Sequence, residues 1–243
     1  FPGVIIPITI GRDHSIRLIK ETYKGNRTIG VLAQKDPNIE SPEVEDLNSI
    51  GTVAHILKML RMPDGNITAI IQGRKRFEIE EFVQTEPYFK AKVNRLDEKR
   101  PENNDKEFGA LVDSVKDLAL QIIEESPNIP SEATLAIKNI ESPSFVINFV
   151  ASNMNISLSE KQILLEEVDL KVRASNALGF LTKELQMLEM KNEIQSKVRT
   201  DLDKQQREYF LHQQMKAIQE ELGGTGSEQE IEEMRQQSSA KKW

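Results

Sequence analysis

The sequence predicts an α+β fold, in which a small antiparallel β-domain shaped as a partly closed barrel precedes an α-helical bundle and one very long helix. Three observations lead to this prediction. Short β-rich runs separated by turn residues occupy positions 1–97. From Asp105 the apolar residues change to helical spacing. Between Asp169 and Leu222 the chain contains no proline and a single glycine.

These observations divide the chain into four predicted segments. They are a β-rich domain at 1–97, a helical bundle at 105–168, a long connecting helix at 169–222 and a linker at 223–243. At about 1.5 Å per residue the long helix would span roughly 80 Å. A helix of that length cannot bury itself against one small core, so we expect it to bridge, pair or project.

The β-domain begins with a predicted strand at Val4–Ile10, where Pro7 indicates an edge position or a bulge. Asp13 is the expected N-cap of a short helix. A second strand is predicted at Thr28–Ala33, and a polar, acidic loop at Lys35–Leu47. Two antiparallel strand pairs complete the domain: Gly51–Leu60 with Ile67–Gln72 around Pro63-Asp64-Gly65-Asn66, and Arg76–Gln84 with Tyr88–Leu96, with a bulge at Glu80-Glu81.

Serine and proline residues set the predicted helix ends of the bundle. Ser126-Pro127 ends the first helix, Ser131 begins a short one, and Ser142-Pro143 begins another. Ser159-Glu160-Lys161-Gln162 has the form of a capping box before an apolar run. We therefore expect several short helices packed on the base of the long helix.

Apolar residues of the long helix form a predicted seam for oligomerisation or packing. Its first part has heptad spacing and its second part steps by four residues: Leu178, Leu181, Leu185 and Leu188, then Ile194, Val198 and Leu202. Met187 and Met190 fit a packing surface better than a cofactor site. Asp203–Glu208 contains no apolar residue, so it either stands in water or bends. Gly223-Gly224 is the expected end of the helix.

Charge and composition exclude several classes of function. The net charge of −7 and a nearly neutral β-domain argue against nucleic-acid binding. The one basic run, Arg74-Lys75-Arg76, is predicted to be a solvated strand end. The absence of cysteine excludes disulfides and thiol chemistry. No apolar run has the length of a membrane span, and no signal peptide opens the chain.

No catalytic or cofactor motif is present. The glycine-rich stretch at 223–227 lacks the lysine of a phosphate-binding loop. His14, His55 and His212 are far apart, so a metal site is not predicted. The sequence contains neither GxSxG nor a context for a serine–lysine dyad. We therefore predict a chain without catalytic residues, cofactor or metal.

Three blocks, in order along the chain, resemble the Lon family of ATP-dependent proteases. They are FPGVIIPITIGRDHSIR at 1–17, IGTVAHILKM at 50–59 and QREYFLHQQMKAIQEELGG at 206–224. The resemblance implies a PUA-like β-domain that recognises unfolded or damaged proteins, and a long helix that supports a homohexamer. It also implies that ATP, magnesium and a serine–lysine peptidase belong to further modules. It places the protein in the bacterial cytoplasm, or alternatively in the mitochondrial matrix.

Because the chain begins at Phe1, we expect a piece of a longer protein. In the family a further strand normally precedes the FPG motif, and without it a sheet edge would be exposed. The acidic loop at Lys35–Leu47 lies where we expect variation, so it either tunes substrate preference or has no effect.

Six residues are candidates for substrate contact: Arg12, Asp13, His14, Arg17, Met59 and Met62. For the turn at 12–17 a plain helix start is the favoured interpretation, with contact to captured polypeptide as the alternative. The methionines suit promiscuous recognition, although apolar strand residues more often belong to a core. Two other functions stay open: a coiled-coil scaffold that binds one folded partner, and a nucleic-acid-binding module, against which the charge argues.

Overall fold

The computed structural model describes residues 1–63, 66–102, 104–126, 132–222 and 226–240, except for the side chains of 132, 226–229 and 240. The chain forms two compact units, Phe1–Leu188 and Glu189–Trp243. The first contains an antiparallel sheet and a set of helices, and the second is helical in its described part. The predicted α+β class is confirmed.

The sheet of the first unit has five antiparallel strands. They are β1 (Ile5–Ile10), β2 (Thr28–Val31), β3 (Ile50–Arg61), β4 (Ile67–Gln84) and β5 (Lys90–Arg95). The order is β1-β4-β3-β2, and β5 also pairs with β4. Within the described strands β1 pairs with β4 alone, so Pro7 lies on an edge strand, as predicted.

Strand β4 is the longest and changes partner along its length. Its first part pairs with β1 and its second part with β5, while β3 pairs with both parts. The sequence predicted two separate strands here, but the structure has one strand of 18 residues because each part finds a partner. The predicted bulge is confirmed by a register shift between Ile79 and Glu81. Of the predicted hairpin turn, residues 64–65 lie outside the described residues.

Helix α1 (Asp13–Lys24) covers one face of the sheet. Its Ile19 packs with Ile56, Ile67 and Ala69, all of which are buried. The predicted N-cap was wrong by one residue. Arg12, in an extended conformation, occupies that position without a side-chain capping bond, and Asp13 is the first helical residue. There its carboxylate still lies next to the positive end of the helix dipole.

The remaining helices follow the sheet: α2 (Lys106–Glu125), α3 (Glu132–Lys138), α4 (Pro143–Asn153), α5 (Leu158–Glu166), α6 (Leu170–Glu221) and α7 (Gly226–Ala240). Asp105 caps α2 by accepting a bond from the Phe108 amide at 3.0 Å, and Ser142 caps α4 before Pro143. The capping box of α5 is formed by Ser157 and Glu160, which corrects the prediction of Ser159 and Gln162. The predicted end signals at Pro127, Ser131 and Gly223-Gly224 lie outside the described residues.

The helical core of the first unit includes the beginning of α6. Leu170, Ala174, Ala177 and Leu181 of this helix are buried with residues of the shorter helices, among them Val115, Val146, Ile147 and Leu164. These side chains recur at the spacing of one helix face. The first turns of α6 are therefore stabilised by tertiary packing as well as by their own backbone bonds.

In the second unit, α6 continues to Glu221 and α7 follows. Asp203–Glu208 is helical and exposed throughout, which agrees with the interpretation that this polar stretch stands in water. None of the helices in the described part of the chain has both the length and the apolarity needed to cross a membrane.

Candidate functional site

The predicted contact residues at 12–17 lie at the exposed start of α1. Two of them are engaged by neighbouring loops. The Arg12 guanidinium donates to Gln34 Oε1 at 3.2 Å and to the Ile39 carbonyl oxygen at 3.3 Å. His14 Nδ1 lies 2.7 Å from the Pro87 carbonyl oxygen. These bonds give Arg12 and His14 a structural role, whereas Asp13 and Arg17 point to solvent without such partners among the described residues.

The two methionines of the β3–β4 hairpin differ in burial. Met59 is half-buried and packs against the core of the sheet. Met62 is 44% exposed, and its amide bonds to the Asn66 carbonyl oxygen at 2.9 Å where the hairpin closes. Of the two, Met62 is therefore the one that a partner can reach.

A surface that the sequence analysis did not identify lies on the sheet face opposite the core. Alternation along β4 places Ile67, Ala69 and Ile71 inward and Ile70 outward. The register sets Ile70 opposite Pro7. We call the following residues the outer sheet face: Ile5, Pro7, Leu57, Leu60 and Ile70.

The five residues of the outer sheet face are exposed or half-buried, and the register places Lys58, Thr68 and Gln72 on the same side of the sheet. Ile5 is 54% exposed, and Leu57 and Leu60 are each 39% exposed. Leu57 reaches this side because a register shift falls between Ile56 and Lys58. The signal in the sequence was the apolar run IIPITI, which has no polar alternation and so offers apolar residues to both faces.

The prediction for the basic run was wrong at its last residue. Arg74 and Lys75 are exposed, but Arg76 is only 4% exposed. Its Nη1 donates to the carbonyl oxygens of Leu165 at 2.9 Å and Glu167 at 2.6 Å. These groups end helix α5, where backbone carbonyls lack helical partners. Burial, and then the charge of Arg173, lower the pKa of Arg76 to about 10, so it remains protonated at neutral pH.

Arg173 of α6 completes this contact between sheet and helices. It is fully buried, and it donates to Glu98 Oε2 at 3.0 Å, to Asn148 Oδ1 at 3.3 Å and to the Glu167 carbonyl oxygen at 3.0 Å. Burial lowers the pKa of Arg173, and the Glu98 carboxylate opposes that shift. We call these residues the buried arginine cluster: Arg76, Glu98, Asn148, Glu167 and Arg173.

The first three residues connect the same two parts of the unit. Phe1 packs against the helical core, and the Pro2 carbonyl oxygen accepts a bond from Asn148 Nδ2 at 3.3 Å. Gly3, with φ of +83°, donates its amide to the Gly73 carbonyl oxygen of β4 at 2.9 Å. A Cβ at Gly3 would lie 2.7 Å from a ring carbon of Phe145. The FPG sequence thus fastens the sheet to helix α4.

The predicted seam of the long helix separates into two sets. Leu181 and Leu185 are buried in the helical core of the first unit, and Leu178 and Leu188 pack against it. Those four side chains therefore pack within the chain itself. In the second unit Ile194, Val198 and Leu202 are 53–57% exposed. Their role in oligomerisation stays a prediction.

Within the described residues no group of three or more histidine, aspartate or glutamate side chains is arranged to hold a metal ion. His55 is half-buried on β3, where it pairs with Gln72 and Thr28. The first unit therefore exposes apolar side chains on a sheet that hydrogen bonds join to the helices.

Comparison with known proteins identifies a family. A family described as "ATP-dependent protease La (LON) substrate-binding domain" matches residues 1–183. Over its whole length the chain is 61% identical to a Lon protease of Flavobacterium johnsoniae and 51% identical to one of Cytophaga hutchinsonii. It spans 30% of the length of each of these relatives.

Two solved structures share the fold. One is the N-terminal domain of a Lon protease from the Mycobacterium avium complex, with a TM-score of 0.58 and 22% identity over 74% of this chain and 91% of that one. The other is a Lon N-terminal domain protein from Xanthomonas campestris, with a TM-score of 0.52 and 16% identity over 73% of this chain and 90% of that one.

Proposed function

The chain belongs to the family of Lon substrate-binding domains, and from this premise we propose that it is the non-catalytic N-terminal region of an ATP-dependent Lon protease. In this role it recognises unfolded or damaged proteins, supports assembly of a homohexamer and passes substrates to an ATPase ring. ATP, magnesium and the serine–lysine peptidase act in other modules, and the setting is the bacterial cytoplasm.

The observation that carries substrate recognition is the outer sheet face. Unfolded polypeptides expose apolar side chains that folded proteins bury. Contact with Ile5, Leu57 and Leu60 removes such side chains from water, at roughly 25 cal/mol per Å² of apolar surface. This attraction requires no particular sequence, and the flexible Met62 at the adjacent hairpin tip adapts to varied partners. Recognition of unfolded chains in general follows from a surface of this kind.

The affinity of one such surface is expected to be weak. The outer sheet face is a small, open area, and an unfolded segment loses conformational freedom when it binds. Several copies held in one assembly raise the effective concentration and so the overall affinity. Assembly and recognition therefore support each other in the proposed function.

Fluorescence anisotropy tests the proposal directly. The probe is a labelled small protein in two forms: folded, and permanently unfolded by reduction and alkylation of its disulfides. We expect this chain to bind the unfolded form only, without ATP. Equal binding of both forms, or binding of neither, contradicts the proposal.

A pair of matched variants locates the surface. Leu57→Ser combined with Leu60→Ser is expected to weaken binding of the unfolded form at least fivefold. Leu135→Ser makes the same chemical change at a residue of α3 that is 63% exposed, and it is expected to leave binding unchanged. Circular dichroism checks that all variants keep the native helix and strand content.

A second function has one observation in its favour. The exposed Ile194, Val198 and Leu202 of the second unit suit a coiled-coil scaffold that binds one folded partner. Selectivity for the unfolded form of the probe separates substrate capture from this alternative. Light scattering on the same samples reports whether the chain associates with itself.

A further inference from the structure

A pocket lies between the acidic loop and the second part of strand β4. Its apolar lining consists of Val44 and Leu47 from the loop and Ile79 and Phe82 from the strand, and the polar residues Lys35, Asn48 and Ser49 complete it. Its volume is about 240 Å³, below the roughly 300–1,000 Å³ typical of small-molecule sites. A pocket of this size suits a single side chain of a larger partner better than a free metabolite.

The loop wall of the pocket is held in place by its own hydrogen bonds. The Lys35 amide donates to the Asp46 carbonyl oxygen at 2.7 Å, and the Asn48 amide donates to the Ala33 carbonyl oxygen at 3.0 Å. Glu43 and Asp46 form a reciprocal capping box around the short 3₁₀ helix Val44–Asp46. Because the wall is already ordered, little conformational freedom is lost when a side chain enters.

Further apolar groups extend the pocket along the β4–β5 hairpin. Phe82 meets Phe89 edge to face, with ring centroids 5.8 Å apart. Phe89 is 36% exposed. An extended segment whose side chain fills the pocket therefore finds apolar surface next to it.

The loop that forms one wall of the pocket has a net negative charge. The loop at 35–47 carries five carboxylates and one lysine, and the Lys35 ammonium is already bound to the Glu45 carbonyl oxygen at 2.7 Å. The carboxylates of Glu40, Glu45 and Glu80 have no hydrogen-bond or ion-pair partner within the described part of the chain. Unpaired carboxylates on the elements that form the pocket attract cationic groups and repel anionic ones.

We propose that this pocket binds an apolar side chain of an extended polypeptide in which lysine or arginine flanks that residue. The inference rests on the proposed function and names a substrate class for it. The apolar lining holds the side chain, and the carboxylates of Glu40 and Glu45 select the neighbouring charges. Segments of this composition are bound at the loop, whereas the outer sheet face takes apolar segments irrespective of charge.

Three labelled peptides of eleven residues test the inference. The first has a central phenylalanine between pairs of lysines, the second replaces the lysines with glutamate, and the third replaces the phenylalanine with serine. We expect the first peptide to bind this chain at least tenfold more tightly than either of the others. Its affinity is expected to fall as salt is raised, because salt screens the exposed charges.

Charge reversal tests the role of the loop carboxylates, and a reversal elsewhere on the surface is its control. Glu40→Lys with Glu45→Lys is expected to weaken binding of the lysine peptide at least tenfold and to strengthen binding of the glutamate peptide. Glu124→Lys reverses a single charge on the exposed surface of α2 and is expected to have no effect. Val44→Ser is expected to weaken binding of the lysine peptide and of the glutamate peptide by the same factor, since it alters the apolar lining.

The outcomes separate this inference from the proposed function. Equal affinity for all three peptides, or unchanged affinity after the double reversal, overturns the inference. If the unfolded probe protein still binds in that case, the proposed function stands without this pocket. If the peptides discriminate as expected but no unfolded protein binds, substrate capture is contradicted.

Discussion

Arg76 of strand β4 and Arg173 of helix α6 donate hydrogen bonds to the same acceptor, the carbonyl oxygen of Glu167, at 2.6 Å and 3.0 Å. Two like charges are thus held together where water is excluded. The Glu98 carboxylate, bound to Arg173 at 3.0 Å, is the nearby negative charge that offsets them. The end of helix α5 adds the partial negative charge of its carbonyl groups. This arrangement joins the sheet to the helices within the first unit.

Glu98→Gln is predicted to lower the free energy of unfolding by roughly 3 kcal/mol, because it leaves two buried guanidinium groups without their compensating carboxylate. The amide keeps the shape of the side chain and retains an acceptor for Ser144, so packing is preserved. Urea denaturation followed by circular dichroism measures the change. Glu102→Gln, at an exposed position close by, is the control. Equal midpoints for the two variants contradict the role of Glu98.

The burial of Arg76 shows what local sequence signals leave out. Its acceptors at the end of α5 lie 89 and 91 residues further along the chain. Nothing in Arg74-Lys75-Arg76 itself distinguishes the third residue from the first two, and the side chains of such a run are usually exposed to solvent. Only the packing of α5 on the sheet creates the buried acceptors.

The elements themselves were largely predictable, because periodicity, turns and caps act within a few residues. The strand pairs, the bulge at Glu80-Glu81 and the cap at Ser142 all follow from such signals. The packing of the α6 seam was less predictable. The heptad spacing of Leu178–Leu188 and the four-residue steps from Ile194 to Leu202 both describe an apolar stripe on one helix, so the sequence does not indicate that only the first set meets a core of its own. The outer sheet face was missed because apolar strand residues such as Leu60 more often belong to a core.

Glycine substitutions are predicted to have opposite effects at two positions. A Cβ at Gly73 would lie 2.2 Å from the Phe1 carbonyl oxygen, so Gly73→Ala forces strand β4 and the first residues apart. Its expected cost is about 2 kcal/mol. Gly179 is exposed within α6 and a Cβ there meets nothing within 4 Å, so Gly179→Ala is expected to stabilise by about 1 kcal/mol. Thermal unfolding measures both, and a stabilised Gly73→Ala variant contradicts the close approach.

Acid is predicted to destabilise the cap of helix α2. The Phe108 amide and then the Lys171 ammonium hold the pKa of Asp105 below its usual range. Since the folded pKa lies below the unfolded one, the stabilisation is complete above about pH 4 and is lost as pH falls through the folded pKa. Asp105→Asn keeps a capping group but removes the charge, so it should reduce the loss of stability between about pH 5 and pH 3. Urea unfolding midpoints across that pH range measure the loss of stability, and Asp113→Asn is the control for the change in net charge. If Asp105→Asn and the parent chain lose the same stability in acid, the prediction is contradicted.

The two sets of apolar residues in α6 are predicted to respond differently to substitution. In the second unit, Met190, Ile194, Val198 and Leu202 lie within an arc of about 120° on the helix, and all are more than half exposed. Replacing Ile194, Val198 and Leu202 together with serine is therefore expected to leave the unfolding midpoint unchanged within error and to reduce self-association. Sedimentation velocity over a range of concentrations measures the association.

Leu181→Ala serves as the contrasting variant, because Leu181 is only 2% exposed in the helical core of the first unit. The cavity that it leaves is expected to lower the free energy of unfolding by roughly 3 kcal/mol. Below the temperature at which this variant unfolds, its association is expected to match that of the parent chain. If the triple serine variant associates as strongly as the parent, the exposed face is not the contact between copies, and the second unit does not support assembly through these residues.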